Sequence, residues 1–77
     1  MKNTGEIDFL QNVGNRLYQL RNEKELSRRE LSDKSGISEQ HIAKIENGKS
    51  GLTVEALMKL SHVLDISLAD FFREGFR

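Results

Sequence analysis

Ser27-Arg28-Arg29-Glu30-Leu31-Ser32-Asp33-Lys34-Ser35-Gly36-Ile37-Ser38-Glu39-Gln40-His41-Ile42-Ala43-Lys44-Ile45-Glu46-Asn47-Gly48 holds two short helices and the turn between them. Ser27 and Glu30 form a capping box, in which the serine oxygen accepts from the third helical N–H and the glutamate reaches back to the serine N–H. The helix that opens there carries Leu31 and lasts about two turns. Gly36 ends it, because glycine tolerates the left-handed conformation found at helix C-termini. A bend this tight needs Gly36, since a Cβ there resists positive φ. Ser38 caps the next helix, whose Ile42 and Ile45 share one face, and Asn47-Gly48 closes it. Ser32 is small enough to let the two helices approach closely. Glu39, Gln40, His41, Lys44 and Asn47 take the remaining faces.

The flanking sequence is helical too. Leu10, Val13, Leu17 and Leu20 make one stripe at the helical period, with Arg16, Gln19 and Asn22 turned away. That predicts a first helix from about Ile7 to Asn22, for which Thr4 and Asp8 both qualify as caps, and Glu23-Lys24-Glu25 as a polar connector. After a loop at Lys49-Ser50-Gly51, Thr53 caps a fourth helix with Leu57, Leu60 and Leu64 inward. Asp65-Ile66 is a turn, and Ser67-Leu68-Ala69-Asp70 starts a fifth helix bearing Phe71 and Phe72. No stretch alternates with period two for long enough to make a strand. The expected fold is all-α: five short helices in a single domain over residues 7–73, after a flexible segment 1–6 and before a tail 74–77.

Composition sets outer limits. The chain has 77 residues, with 12 basic and 12 acidic side chains and no cysteine or proline. At that length one domain is the sensible count. The lack of Cys removes disulfides and thiolate metal sites. No apolar run approaches the roughly 18 residues that span a bilayer, so a cytoplasmic protein away from membranes is expected. Zero net charge argues weakly against nucleic acid as a partner, because such binders often carry a basic excess. The placement of the charges has to decide.

The run Leu31-Ser32-Asp33-Lys34-Ser35-Gly36-Ile37-Ser38, followed by Ile42-Ala43-Lys44-Ile45-Glu46-Asn47-Gly48-Lys49, resembles the phage-repressor/Cro-type (Xre) helix-turn-helix family. The similarity continues through Leu57-Met58-Lys59-Leu60 to Leu68-Ala69-Asp70-Phe71-Phe72. It covers about Val13 to Phe72, with six or more positions agreeing in spacing at once. The resemblance implies a five-helix, lambda-repressor-like domain with its helix-turn-helix in helices 2 and 3. It also implies a transcriptional regulator that binds double-stranded DNA as a homodimer. In such proteins the N-terminal end of the second motif helix meets base edges. By the resemblance, Arg28 matches a phosphate- or base-contacting position. Glu39, Gln40 and Lys44 match base-reading positions, with His41 beside them, and Lys49 matches a loop residue that meets the backbone. Arg29, Ser38, Asn47 and Ser50 complete the expected DNA-facing set, Arg29 as a flank rather than a base reader. Arg21 and Glu46 match a structural ion pair. The length and the Ser67–Phe72 ending resemble the small controller proteins of restriction–modification systems.

Three departures stand out. Ser32 replaces the usual Ala, the proline common after the Gly48 turn is missing, and Glu39 brings a carboxylate to a face that should meet phosphates. Glu39 either accepts from cytosine N4 or serves as a favourable charge at the helix N-terminus. With Glu30 in a cap and Glu46 paired to Arg21, the residues Arg28, Arg29, Lys44 and Lys49 make a locally basic face.

Other chemistries find little support. His62 has no second ligand at metal spacing. Gly48-Lys49-Ser50 echoes a phosphate-binding loop, but Ala43 stands where that loop needs glycine and a helix precedes it. No paired carboxylates can be argued into a cleft, so no enzyme, cofactor or metal is expected, and no small-molecule ligand. Ile66, Leu68, Phe71, Phe72 and Phe76 form an apolar end too large for so small a core to hide. Leu68 and Phe71 are expected mostly in the core, Ile66 and Phe72 mostly at a dimer interface. The interface set as a whole is Ile66, Leu68, Phe72 and Phe76. Two other classes share the sequence features: an antitoxin-type module whose main partner is a toxin protein, and a helical protein-interaction domain without DNA binding.

Overall fold

Hydroxyl side chains open four consecutive helices. The Ser27, Ser38 and Ser67 Oγ atoms accept from the N–H groups of Glu30, His41 and Asp70, and Thr53 Oγ1 accepts from that of Ala56, all at 3.0–3.1 Å. Each bond satisfies one of the donors that a helix start leaves without an intrahelical partner. The computed structural model describes residues 4–73. The elements are α1 (Thr4–Glu23), α2 (Arg28–Ser35), α3 (Glu39–Glu46), α4 (Val54–Leu64) and α5 (Leu68–Phe71). There is no strand among the described residues, and the expected all-α fold of five helices is what the chain adopts. α1 begins at Thr4, earlier than the apolar stripe suggested. Residues 74–77, with Phe76, lie outside the described residues, as do residues 1–3.

The capping box at α2 is complete, since Glu30 Oε1 also accepts from the Ser27 N–H at 2.8 Å. Gly36 ends α2 in the left-handed conformation, φ 78°, its N–H donating to the Ser32 carbonyl at 2.9 Å. Ser38 starts α3 two residues later, so the turn between the motif helices is as tight as the sequence required. At the far end of α3, the Asn47 N–H bonds to Ala43 O, and Gly48 adopts φ 72°. α4 stops differently: Asp65 takes the left-handed position, φ 56°, and its N–H donates to His62 O.

Val13, Leu17 and Leu20 of α1 meet Leu31, Ile37, Ile42 and Ile45 of the motif, Ala56, Leu60 and Leu64 of α4, and Phe71 of α5 in one buried cluster. Leu57 and Ile66 pack at its margin. Leu10, expected in the same stripe, is only half-buried. α3 packs on α1 and α2, and α5 on α4. The α1–α3 crossing turns on Gly14. A Cβ there would collide with the Ile45 carbonyl oxygen and sit 2.7 Å from that of Glu46.

Two expectations from helical phase need correction. Arg16 is not turned away: its guanidinium reaches α5 and donates to the backbone carbonyls of Asp70 and Phe71. The side chain is long enough to lie over the core's edge while its charge finds main-chain acceptors. Leu68 is not mostly core, being 44% exposed, whereas Phe71 is fully buried as expected. In a helix of four residues only one side chain can point straight into the cluster, and Phe71 takes that place.

Candidate nucleic-acid interface

α3 is held by its apolar side. Ile42 and Ile45 are completely buried, and Ile37 just before the helix nearly so. That orientation turns Glu39, Gln40 and Lys44 outward, where all three are exposed, together with Ser38, Asn47 and Lys49. Among the described residues, none of the Arg29, Glu39, Gln40, Lys44 and Lys49 side chains makes a hydrogen bond or ion pair. Their polar ends are therefore available to an outside partner. Ser50 is half-buried, and its hydroxyl donates to Gly51 O. His41 is half-buried as well and lines a groove of about 260 Å³ with Thr53, Glu55 and Lys59, so it stands less clear than its neighbours Gln40 and Glu39.

The end of α3 is fixed by charge. Arg21 Nε donates to Glu46 Oε2 at 2.7 Å and Arg21 Nη2 to Oε1 at 3.0 Å, the bidentate geometry that suits a guanidinium and a carboxylate. Arg21 Nη1 also donates to Leu26 O, so each nitrogen of the buried guanidinium makes a hydrogen bond. The bond to Glu46 raises the Arg21 pKa further above its ordinary value, against the opposing effect of burial. Such a pair is costly to desolvate and costly to break, because either partner alone would be a buried charge without compensation.

The expected Arg21–Glu46 pair has a third member. Arg28 Nε donates to Glu46 Oε1 at 3.0 Å, with the Arg28 side chain 37% exposed. Its Nη groups make no hydrogen bond among the described residues. The position expected to meet DNA is thus anchored at one end to the last residue of α3. Nothing in the spacing of Arg28 and Glu46 signals this. It becomes visible only when the start of α2 is folded against the end of α3.

The outcome is an exposed polar ridge on α3, flanked by Arg28, Arg29, Lys44 and Lys49, with Glu39 as the main acidic offset. Glu46 is shared between Arg21 and Arg28 and so offsets part of that charge, while Glu30 is held in the α2 cap. The apolar residues expected at an interface lie on other elements. Leu68 and Phe72 are 44% and 36% exposed, and Ile66 is half-buried against the core. No described helix is long and apolar enough to cross a membrane.

Comparison with known proteins identifies the family. A helix-turn-helix family model (HTH_3) matches residues 17–71. An uncharacterized HTH-type transcriptional regulator, y4dJ of Sinorhizobium fredii, is 34% identical over 61 residues, 79% of this chain and 79% of that protein. The HTH-type transcriptional regulator SinR of Bacillus subtilis is 37% identical over 57 residues, covering 73% of this chain but about half of SinR, 51%. The crystal structure of the restriction–modification controller protein C.AhdI from Aeromonas hydrophila superposes with a TM-score of 0.79 at 32% identity, over 82% of this chain and 96% of that one. The chain belongs to the helix-turn-helix (HTH_3, Xre-type) family of DNA-binding transcriptional regulators, which are not enzymes.

Proposed function

We propose that the chain is a cytoplasmic, sequence-specific regulator that binds a near-palindromic operator as a homodimer and controls its own expression. The observation that carries this reading is the unengaged polar face of α3, held outward by the buried Ile42 and Ile45. α3 lies in the major groove and α2 crosses the backbone, with paired α3 helices about 34 Å apart. Gln40 matches adenine N6/N7 and Lys44 guanine O6/N7, each discriminating by about 1–3 kcal/mol. Arg28, Arg29, Lys49 and Ser50 face phosphates, while Ser38, Glu39, His41 and Asn47 border the read bases.

A neutral protein suffices for this, because only charges within a Debye length of about 8 Å act on the phosphates at physiological salt. One copy offers few cations, and a second roughly doubles the phosphate contacts, which favours a dimer. Ile66, Leu68, Phe72 and Phe76 supply its apolar surface. The similarity to a restriction–modification controller supports a small autoregulatory switch.

The test begins with selection of bound sequences from random duplexes. On the selected site, Lys44→Ala should flatten the preference among base variants. Lys49→Ala should weaken every site alike and lower the salt slope by about one. Identical behaviour of the two variants would overturn these roles, and the absence of any retarded complex at low salt would leave a protein-interaction domain instead.

A further inference from the structure

α5 is too short to hold itself in place. It has four residues, far below the roughly 12–15 at which an isolated helix becomes even marginal in water. A helix end leaves its last carbonyls short of intrahelical donors, although those of Ala69 and Asp70 accept turn bonds from the Phe72 and Arg73 N–H groups, each at 3.2 Å. Two of them, those of Asp70 and Phe71, accept from Arg16 of α1, the second at 2.8 Å. Elsewhere the α1 and α5 backbones approach closely at few points. A groove of about 320 Å³, lined in part by Gln19, Glu23, Ile66 and Arg73, runs beside Arg16 between them. α5 packs on α4 and buries the Phe71 ring in the core, and Arg16 adds a polar tie from α1 to its C-terminal carbonyls. On the same stretch of α1, Gly14 lies against the carbonyls of Ile45 and Glu46 at the end of α3.

We infer that Arg16 is a positioning residue for assembly. By clamping the C-terminal carbonyls of α5, it fixes the direction in which Leu68 and its neighbours meet a second copy of the chain. Because α1 also abuts α3, the same clamp sets the separation of the paired α3 helices. The inference rests on the homodimer proposed above and deepens it. It assigns to one α1 side chain, outside the residues proposed to meet DNA or the partner copy, control over how the two reading helices are presented.

The experiment compares the full chain with Arg16→Gln and Arg16→Lys. Sedimentation gives the dimer dissociation constant. Binding to a full palindromic duplex and to a single half-site separates assembly from base reading. Arg16→Gln should raise the dimer dissociation constant about tenfold or more, equivalent to roughly 1.4 kcal/mol, and full-site affinity should fall with it. Half-site affinity should stay within about twofold, because the α3 surface is untouched. Arg16→Lys, which keeps the charge and one donor direction, should fall between. Dimerisation of Arg16→Gln at the wild-type constant overturns the inference, as does an equal loss at half-site and full site, which marks general damage to the fold. Should Arg16→Gln fail to fold, Arg16→Lys decides, and wild-type dimerisation by that variant overturns the clamp. A wild-type chain that stays monomeric on a full site removes the dimer reading itself, and this inference with it.

Discussion

A methyl group at position 14 would press on the Ile45 and Glu46 carbonyls, so glycine there is a condition of the α1–α3 crossing. In an exposed helix interior, Gly→Ala gains up to about 1 kcal/mol. At Gly14 the sign should reverse, with Gly14→Ala losing about 1–3 kcal/mol through overpacking, read as a lowered urea midpoint. Gly36 is the opposite case: nothing lies near its would-be Cβ, and only its φ of 78° resists a side chain. The sequence announces Gly36, because it stands where one helical pattern stops and a cap follows. Gly14 was not legible, since it sits inside a continuous helical stripe and its reason lies on another helix. Arg16 was misread for a related cause. Phase locates a Cβ, whereas a guanidinium several bonds further out chooses among acceptors that only the folded chain assembles. The Arg21–Glu46 pair was expected from family resemblance, and its third member, Arg28, was not.

Among the elements, α2 offers the cleanest test of local chemistry. Ser27→Ala removes the hydroxyl that accepts from Glu30 N–H and should cost about 1 kcal/mol, measured by chemical denaturation. The Glu30 carboxyl is held below its ordinary range, first by the Ser27 backbone N–H and then by the Ser27 hydroxyl. A carboxyl lowered in the folded state stabilises the fold while ionised, and that contribution fades as pH falls through the folded-state pKa. Wild type should therefore exceed Glu30→Gln in stability at neutral pH, and the gap should close well below the ordinary carboxyl range. Equal stability at neutral pH would show that the amide caps as well as the carboxylate. The starts of α2 to α5 were readable from Ser27, Ser38, Thr53 and Ser67 because a cap is settled by neighbours in sequence. The start of α1 at Thr4 was less so, since Thr4 and Asp8 both qualify as caps in the sequence. The exposure of Leu68 escaped phase arguments because four residues make barely one turn.

For the whole molecule, the small core makes self-association part of the stability question. A 77-residue chain buries a modest share of its unfolded surface, and partner binding stabilises a fold by mass action. The proposed dimer predicts a melting temperature that climbs with protein concentration across a hundredfold range, by an amount that Leu68→Ser reduces. A melting temperature independent of concentration would count against it. The fold class and the outward residues of α3 were legible because one short motif dictates both. The placement of α5 was not, since it depends on contacts with α4 and on Arg16 of α1. The two firmly stopped ends of α3, Ser38 at one and Asn47 with Gly48 at the other, carry a consequence for kinetics. For the proposed reading of DNA, a helix capped at both ends has little disorder left to surrender on docking, where each newly ordered residue would cost about 1–2 kcal/mol. On that proposal, encounters with a duplex should proceed as near rigid-body events, and good and poor operators should differ chiefly in residence time rather than in how fast they are found.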